Sequence, residues 1–151
     1  MKFLGSGLAS VLLVAWVGGL WAIGYIAAPT LFVHLADKEL AGNLAGALFK
    51  WIAYVGIIAG VYLLIYRLGQ EGFAALKGGF FWAVLLMLAM TLVQRFGFQP
   101  IMESLKEQAL PRAVMESAFR SRFAAWHGIS SIVYLIQSVI GLWLVARAKL
   151  A

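Results

Sequence analysis

Two histidines are the residues of this chain whose chemistry best suits ligand binding. His34 follows the first long apolar stretch, and His127 stands at the head of the last one. If the chain crosses a membrane four times, both histidines fall on the same side of it. Two imidazoles at the mouth of a helix bundle could ligate a metal ion or a haem iron. The alternative is that each is a hydrogen-bonding residue at the membrane interface, and the sequence leaves both interpretations open.

A polar stripe in the last apolar stretch is the second candidate. At about 100° per residue, one helix face there carries Arg120, His127, Ser131, Tyr134 and Ser138. Polar side chains inside a membrane normally face the bundle and find partners there. The stripe therefore predicts either interhelical hydrogen bonds that fix the packing, or a ligand cavity or transport path. With the polar residues that end the third stretch, the candidate ligand-binding set is His34, Arg95, Gln99, Arg120, His127, Ser131 and Tyr134.

Other reaction chemistries are missing from the sequence. It has no cysteine, so it has no thiolate nucleophile and no thiolate metal site. No Asp or Glu lies within an apolar stretch, which argues against a proton-coupled exporter that needs an intramembrane carboxylate. No Ser-His-Asp set and no phosphate-binding loop is recognisable. We therefore assign no catalytic residue.

The composition explains which elements must hold these residues. Of 151 residues, 64% are hydrophobic and only 12% are charged, whereas soluble domains carry about 25% charged residues. This excludes a soluble enzyme, a disordered tail and a nucleic-acid-binding domain, despite the net charge of +6. A modest excess of basic residues is usual beside a bilayer. The sequence predicts a lipid-embedded protein with no nucleic-acid partner.

Four apolar stretches are long enough to cross a membrane as helices. The predicted fold is all-α, a single four-helix transmembrane bundle, and an amphipathic segment at residues 100–122 joins its third and fourth helices. We expect Pro29 to end the first helix and both termini to lie in the cytoplasm, where basic residues are denser. The predicted spans are residues 8–28, 48–66, 80–95 and 123–146.

Four glycines in the second stretch share one helix face, in a sector about 80° wide. They form two GxxxG pairs, Gly42–Gly46 and Gly56–Gly60. Small residues let helix backbones approach closely in lipid. This face predicts tight helix packing, either within the chain or between two copies in a homo-oligomer.

Several motifs resemble a known membrane family. They are the run from Ala28 to Phe32, the run from Leu40 to Phe49, Gln99–Met102, and the F-x-x-x-H-G-x-S-S element from Phe123 to Ser131. Together they resemble the transmembrane protein 205-like family, which includes bacterial proteins with a domain of unknown function. The resemblance implies four helices, a bacterial inner-membrane location and no established reaction. Trp16–Leu20 is similar, more weakly, to copper-resistance D-type proteins and membrane protoporphyrinogen oxidase, which use functional histidines.

Three functions follow from these patterns. The first is a non-enzymatic packing or accessory protein that contacts the bilayer and either a second copy or a partner membrane protein. The second is a membrane redox protein that binds haem, porphyrin or a metal through His34 and His127. The third is a small transporter or efflux-related protein that uses the polar stripe.

Overall fold

A computed structural model describes the backbone over residues 2–148 and the side chains from Gly5 onward. That part of the chain contains helices and no strand. The helices are α1 (Lys2–Ala22), α2 (Ala28–His34), α3 (Lys38–Glu71), α4 (Gly79–Val93), α5 (Gln99–Ala109) and α6 (Arg120–Arg147). Two π-helical turns, Ile23–Ala27 and Gln94–Phe98, join α1 to α2 and α4 to α5. Short 3₁₀ helices cover Gly72–Lys77 and Val114–Glu116.

Four continuous helical segments are long and apolar enough to cross a membrane. They are Gly5–His34, Lys38–Lys77, Gly79–Ala109 and Arg120–Arg147. This confirms the predicted all-α, multi-pass four-helix bundle. At 1.5 Å per residue the segments are about 40–60 Å long, whereas the hydrocarbon core is only about 30 Å thick. The helix ends therefore extend beyond the apolar part of the bilayer.

The prediction that Pro29 ends the first helix is wrong. The helix continues to His34, and Pro29 stands in the first turn of α2. A proline is tolerated there because the first turn of a helix does not use that N–H. The π turn Ile23–Ala27 interrupts the regular α-helical hydrogen bonds just before the proline. A new α-helical segment therefore begins at Ala28, and Pro29 falls in its first turn. Pro100 follows its own π turn, Gln94–Phe98, in the same position.

The region predicted as a separate amphipathic segment at residues 100–122 is also different. Its first half is α5, which continues the third span through the π turn at Gln94–Phe98. Its second half contains the 3₁₀ helix Val114–Glu116 and the start of α6. The sequence pattern gave the amphipathic character of α5, but the π turn makes α5 an extension of α4.

The bundle core is centred on Trp16, which is fully buried. In it, α1 and α4 each pack against both α3 and α6. A Cβ atom added at Gly56 would overlap the Trp16 indole, and one at Gly60 would lie 3.2 Å from Leu88. These two glycines of α3 therefore lie at close contacts between helices of the same chain.

The other two glycines of the predicted face have different surroundings. A Cβ atom at Gly42 would lie 3.7 Å from the Phe32 ring, which is ordinary contact. A Cβ atom at Gly46 would have no heavy atom within 4 Å. The half of the glycine face that contains Gly42 and Gly46 is therefore open, whereas the half that contains Gly56 and Gly60 is packed.

The outer surface of the bundle is apolar. Large side chains such as Val11, Ile58, Ile65 and Ile132 are each more than 60% exposed. In a soluble protein such a surface would be a liability. Here it is the surface that faces lipid.

Candidate functional site

Both histidines are exposed at the end of the bundle that carries the α2–α3 and α5–α6 connections, which we call the loop side. His34 is the last residue of α2. The His127 ring stacks on Phe123 with ring centres 6.1 Å apart. Among the described residues, no group of three or more His, Asp or Glu side chains is arranged to hold a metal ion. Haem or metal ligation by the pair His34 and His127 remains a prediction.

The polar stripe of α6 divides into two parts. Arg120 and Ser131 are exposed near the loop side, and the Ser131 hydroxyl donates to the His127 carbonyl at 2.8 Å. Deeper in the bundle, the Tyr134 hydroxyl donates to the Leu20 carbonyl of α1 at 2.5 Å. The part of the stripe around Tyr134 therefore joins α6 to α1.

Ser138 extends this connection between α6 and α1. It is fully buried, and its hydroxyl donates to the Tyr134 carbonyl at 2.8 Å. The Trp21 indole N–H of α1 donates to the Ser138 carbonyl at 3.3 Å. These bonds agree with the packing interpretation of the stripe at this depth, and its role in ligand binding remains a prediction.

A chain of polar side chains that the sequence analysis missed links α4 to α6. Gln137 is 1% exposed, and its amide nitrogen donates to the Thr91 hydroxyl at 2.6 Å and to the Met87 carbonyl at 3.2 Å. The Gln94 amide donates to the Gln137 oxygen at 3.1 Å, and the Ser130 hydroxyl donates to the Gln94 oxygen at 3.1 Å. The signal was a lone amide inside an apolar run, because lipid offers such a group no partner.

Arg95 lies in the second π turn, between α4 and α5. Its Nη2 donates to the Tyr54 hydroxyl of α3 at 3.1 Å, and its guanidinium carbon lies 5.4 Å from both the Tyr54 and the Phe96 ring centres. The Arg95 Nε is buried without a hydrogen-bond partner, and so is the Gln99 Oε1 one turn further on. Leaving a buried polar atom unpaired costs about 1–3 kcal/mol. Stability alone therefore does not account for this pair of polar side chains.

A groove with a volume of about 450 Å³ opens between the first turns of α3 and the later turns of α5, and we call it the α3–α5 groove. Lys106 Nζ of α5 donates across it to the Asn43 Oδ1 of α3 at 3.0 Å. The Lys106 ammonium also lies 5.9 Å from the Phe123 ring centre of α6. The groove is lined by Glu39, Asn43, Gly46, Ala47, Lys50, Glu103, Lys106, Glu107 and Leu110.

The Arg95–Tyr54 contact lies one helical turn below this groove. Tyr54 follows Lys50 by four residues on α3, and Arg95 precedes the groove residue Glu103 by about two turns. Trp51, beside Lys50, is 69% exposed, and exposed tryptophans mark the membrane–water interface. The groove therefore opens at the level of lipid headgroups, and Arg95 lies below it, closer to the middle of the bundle.

Among the residues singled out from the sequence, the structure places only some close to this groove. Gly46 lines its wall, whereas Arg95 and Gln99 are not among its lining residues and precede them along the third span. The other polar candidates lie elsewhere on the loop side or in the α1–α6 seam. The sequence analysis missed the groove because its charged residues have the pattern of an ordinary solvent-exposed helix face.

Comparison with known proteins adds the family. A family model described as "Domain of unknown function (DUF4149)" matches residues 11–111. The match runs from α1 to the end of α5 and includes both π turns, the glycine face of α3 and the α3–α5 groove. No curated protein and no solved structure matches the chain. The protein therefore belongs to the DUF4149 family, a bacterial family of membrane proteins.

Proposed function

We propose that the protein is a non-enzymatic accessory protein of a cell membrane. Its four-helix bundle serves as a rigid scaffold, and its loop side presents polar and charged residues to another membrane component. The observation that carries this proposal is the hydrogen-bonded chain from Ser130 through Gln94 and Gln137 to Thr91. The polar groups in the middle of the bundle are used to join helices, which favours one fixed arrangement.

The residues left for recognition lie on the loop side. Arg120, Arg122 and Glu116 are exposed there, next to the exposed His127. Exposed charges contribute little to the stability of a fold. A cluster of them at one end of a membrane bundle is better suited to contact with a partner.

The test is purification of the protein in membrane discs that retain native lipids, with and without charge changes. A stoichiometric partner should co-purify with the wild type and with the control Lys77→Glu. Lys77 lies on the terminal side, which is the end of the bundle opposite the loop side. The partner should be lost from the double variant Arg120→Glu, Arg122→Glu. If all three preparations contain the same components in the same ratio, the loop side is not the recognition surface.

Two alternative functions make different predictions with the same preparation. A haem or porphyrin protein that uses His34 and His127 should show a Soret band, and a metal protein should show bound metal by elemental analysis. Each signal should disappear in His127→Ala. A small transporter that uses the polar stripe should lose transport in Ser131→Ala, whereas the scaffold should keep its partner.

We also propose a bacterial inner-membrane location with cytoplasmic termini. The resemblance to bacterial membrane proteins supports the first part. The basic residues Lys2, Arg67 and Lys77 in short segments on the terminal side support the second. Because the chain has no cysteine, single substitutions such as Gln70→Cys and Ser104→Cys can be labelled from outside intact cells. Labelling of Gln70→Cys alone would reverse the proposed orientation.

Two finer relationships remain proposals. The motif around His127 supports kinship with transmembrane protein 205-like proteins, and an alignment of the family that lacks the H-G-x-S-S element would remove that support. The close approach of Gly56 to Trp16 supports a packing role for this GxxxG pair within one chain. If Gly60→Leu changed a dimer into a monomer while the fold persisted, the pair would instead join two copies.

A further inference from the structure

The α3–α5 groove has features of a ligand site that the accessory function does not require. On the α3 side of the groove, little side-chain volume projects between Asn43 and Lys50. The two lining residues there are the small residues Gly46 and Ala47. Gly46 leaves space for at least a methyl group, since an added Cβ would meet no heavy atom within 4 Å. The volume of about 450 Å³ falls within the range of small-molecule sites.

The groove carries charges of both signs, and Glu103 and Glu39 act on the Lys106 ammonium electrostatically without forming a close ion pair with it. Lys50 and Lys106 supply positive charge, and Glu39, Glu103 and Glu107 supply negative charge. In the described part of the chain, no ion pair within 4.0 Å joins these lysines to these carboxylates, and the Arg67–Glu71 pair lies at the opposite end of α3. A ligand that carries both an anionic and a cationic group would match this arrangement.

The part of the third span that precedes the groove residues adds a second observation. There the Arg95 Nε and the Gln99 Oε1 are buried with no hydrogen-bond partner. Buried polar groups in proteins nearly always have a partner, in the protein or outside it. A cationic donor with an unused N–H at the boundary of the hydrocarbon layer favours an anionic group close above it.

The depth of the groove indicates where such a ligand comes from. Lys50 lies beside the interfacial Trp51, and Lys106 lies about 16 Å beyond Arg95 along the third span. The groove therefore runs from the headgroup layer toward water. Molecules that hold an anion and a cation at this level, with an apolar part below, are phospholipids.

We propose that the α3–α5 groove binds a phospholipid whose headgroup carries a primary amine. The phosphate lies near Lys50 and Lys106, above Arg95, and the ammonium group donates hydrogen bonds to Glu103 and Glu107. The acyl chains follow the apolar outer surface of α3 below Trp51. This inference goes beyond the proposed accessory function, since lipid binding does not depend on the partner that the loop side recognises.

The test measures which lipid stays bound when the purified protein is exchanged into detergent with equal amounts of phosphatidylethanolamine, phosphatidylglycerol and phosphatidylcholine of the same acyl chains. Native mass spectrometry should show phosphatidylethanolamine retained at least fivefold over the other two. Equal retention of all three, or preference for phosphatidylglycerol, would overturn the proposal. Soluble phosphoethanolamine at millimolar concentration should not displace the lipid; complete displacement would identify a soluble ligand instead.

Variants separate the two ends of the headgroup. Lys50→Gln with Lys106→Gln should lower retention of phosphatidylethanolamine about tenfold, because two charge-assisted contacts are lost. Glu103→Gln with Glu107→Gln should remove the preference over phosphatidylcholine. The terminal-side variant Lys77→Gln is the matched control and should behave as wild type. Wild-type selectivity in both double variants would exclude the groove as the site.

Gly46→Leu tests the groove without changing a charge. The open space at Gly46 accepts a side chain, so the variant should fold as wild type and lose the bound lipid at least fivefold. Full retention of phosphatidylethanolamine by a folded Gly46→Leu protein would contradict the proposal. Loss of the co-purifying partner in the Arg120→Glu, Arg122→Glu protein with lipid retained would leave this inference intact, so the two proposals fail separately.

Discussion

The first and third spans contain the same backbone feature and use it differently. Each has a π turn followed by a proline in the first turn of the next α-helix, at Ile23–Ala27 with Pro29 and at Gln94–Phe98 with Pro100. π turns inside helices are often found at functional sites. Comparing the side chains at the two turns shows which one is suited to that role.

The first turn is closed by packing. A Cβ atom added at Gly24 would overlap the Tyr134 ring, and Tyr134 is fixed there by its hydrogen bond to the Leu20 carbonyl. The Tyr25 ring also lies 6.2 Å from the Tyr134 ring. Aromatic side chains thus fill the space beside this turn.

The second turn is polar and leads into an open region. It carries Gln94 and Arg95, and the buried Gln99 oxygen follows it. A Cβ atom added at Gly97 would come no closer than 3.9 Å to Val93 of its own helix. The comparison suggests that the first π turn serves packing and that the second supports the α3–α5 groove.

The largest expected effect comes from placing a methyl group in each turn. Gly24→Ala should destabilise the fold by about 2–3 kcal/mol, because the added carbon overlaps a ring that is held in place. Gly97→Ala should be neutral or stabilise by up to about 1 kcal/mol, because alanine favours helix over glycine. Thermal unfolding in detergent, followed by circular dichroism, measures both. Similar melting temperatures for the two variants would remove the difference between the turns.

The next effect compares the buried and the outer end of the hydrogen-bonded chain that joins α4 to α6. Gln137→Leu should lower stability by about 1–2 kcal/mol, since it leaves the Gln94 amide nitrogen without its acceptor and the Thr91 hydroxyl with only its bond to the Met87 carbonyl. Ser130→Ala, at the outer end of the same hydrogen-bonded chain, should cost less than about 1 kcal/mol. The same unfolding experiment applies. A larger loss for Ser130→Ala would show that the buried amide is not the centre of this chain.

The smallest expected effect is at Arg95. Arg95→Leu removes one hydrogen bond to Tyr54 but also removes a buried donor that has no partner. These changes offset each other, so stability should stay within about 0.5 kcal/mol of wild type. Bound phosphatidylethanolamine should nevertheless fall severalfold, as measured by lipid extraction of the purified protein. A large loss of stability with lipid retained would assign Arg95 to packing.

The sequence was sufficient to predict much of the fold. Apolar length alone predicted four spans. Gly56 and Gly60 of the predicted glycine face lie close to side chains of other helices, and the role of the GxxxG pairs stays a prediction. The helix ends were not predictable in the same way. Proline usually ends a helix, and no residue pattern announced that a π turn would let Pro29 and Pro100 continue it.

The candidate site was predicted less completely. Arg95 and Gln99 were selected because they end the third apolar stretch on the side of both histidines, and along the third span they precede the residues that line the groove. Gln137 was missed because a single amide carries no information about its partner until α4 and α6 are placed side by side. The groove itself depends on α5 continuing α4, which brings Lys106 opposite Asn43.

Hydrogen–deuterium exchange in lipid nanodiscs tests the central claim most directly, namely that the second π turn supports a ligand groove in an otherwise rigid bundle. Exchange is compared between discs of pure phosphatidylcholine and discs that also contain phosphatidylethanolamine. We predict that phosphatidylethanolamine slows exchange in residues 38–50 and 94–110 and leaves residues 20–27 and 130–141 unchanged. Unchanged exchange in the groove segments, or equal slowing around Gly24 and Tyr134, would contradict this account.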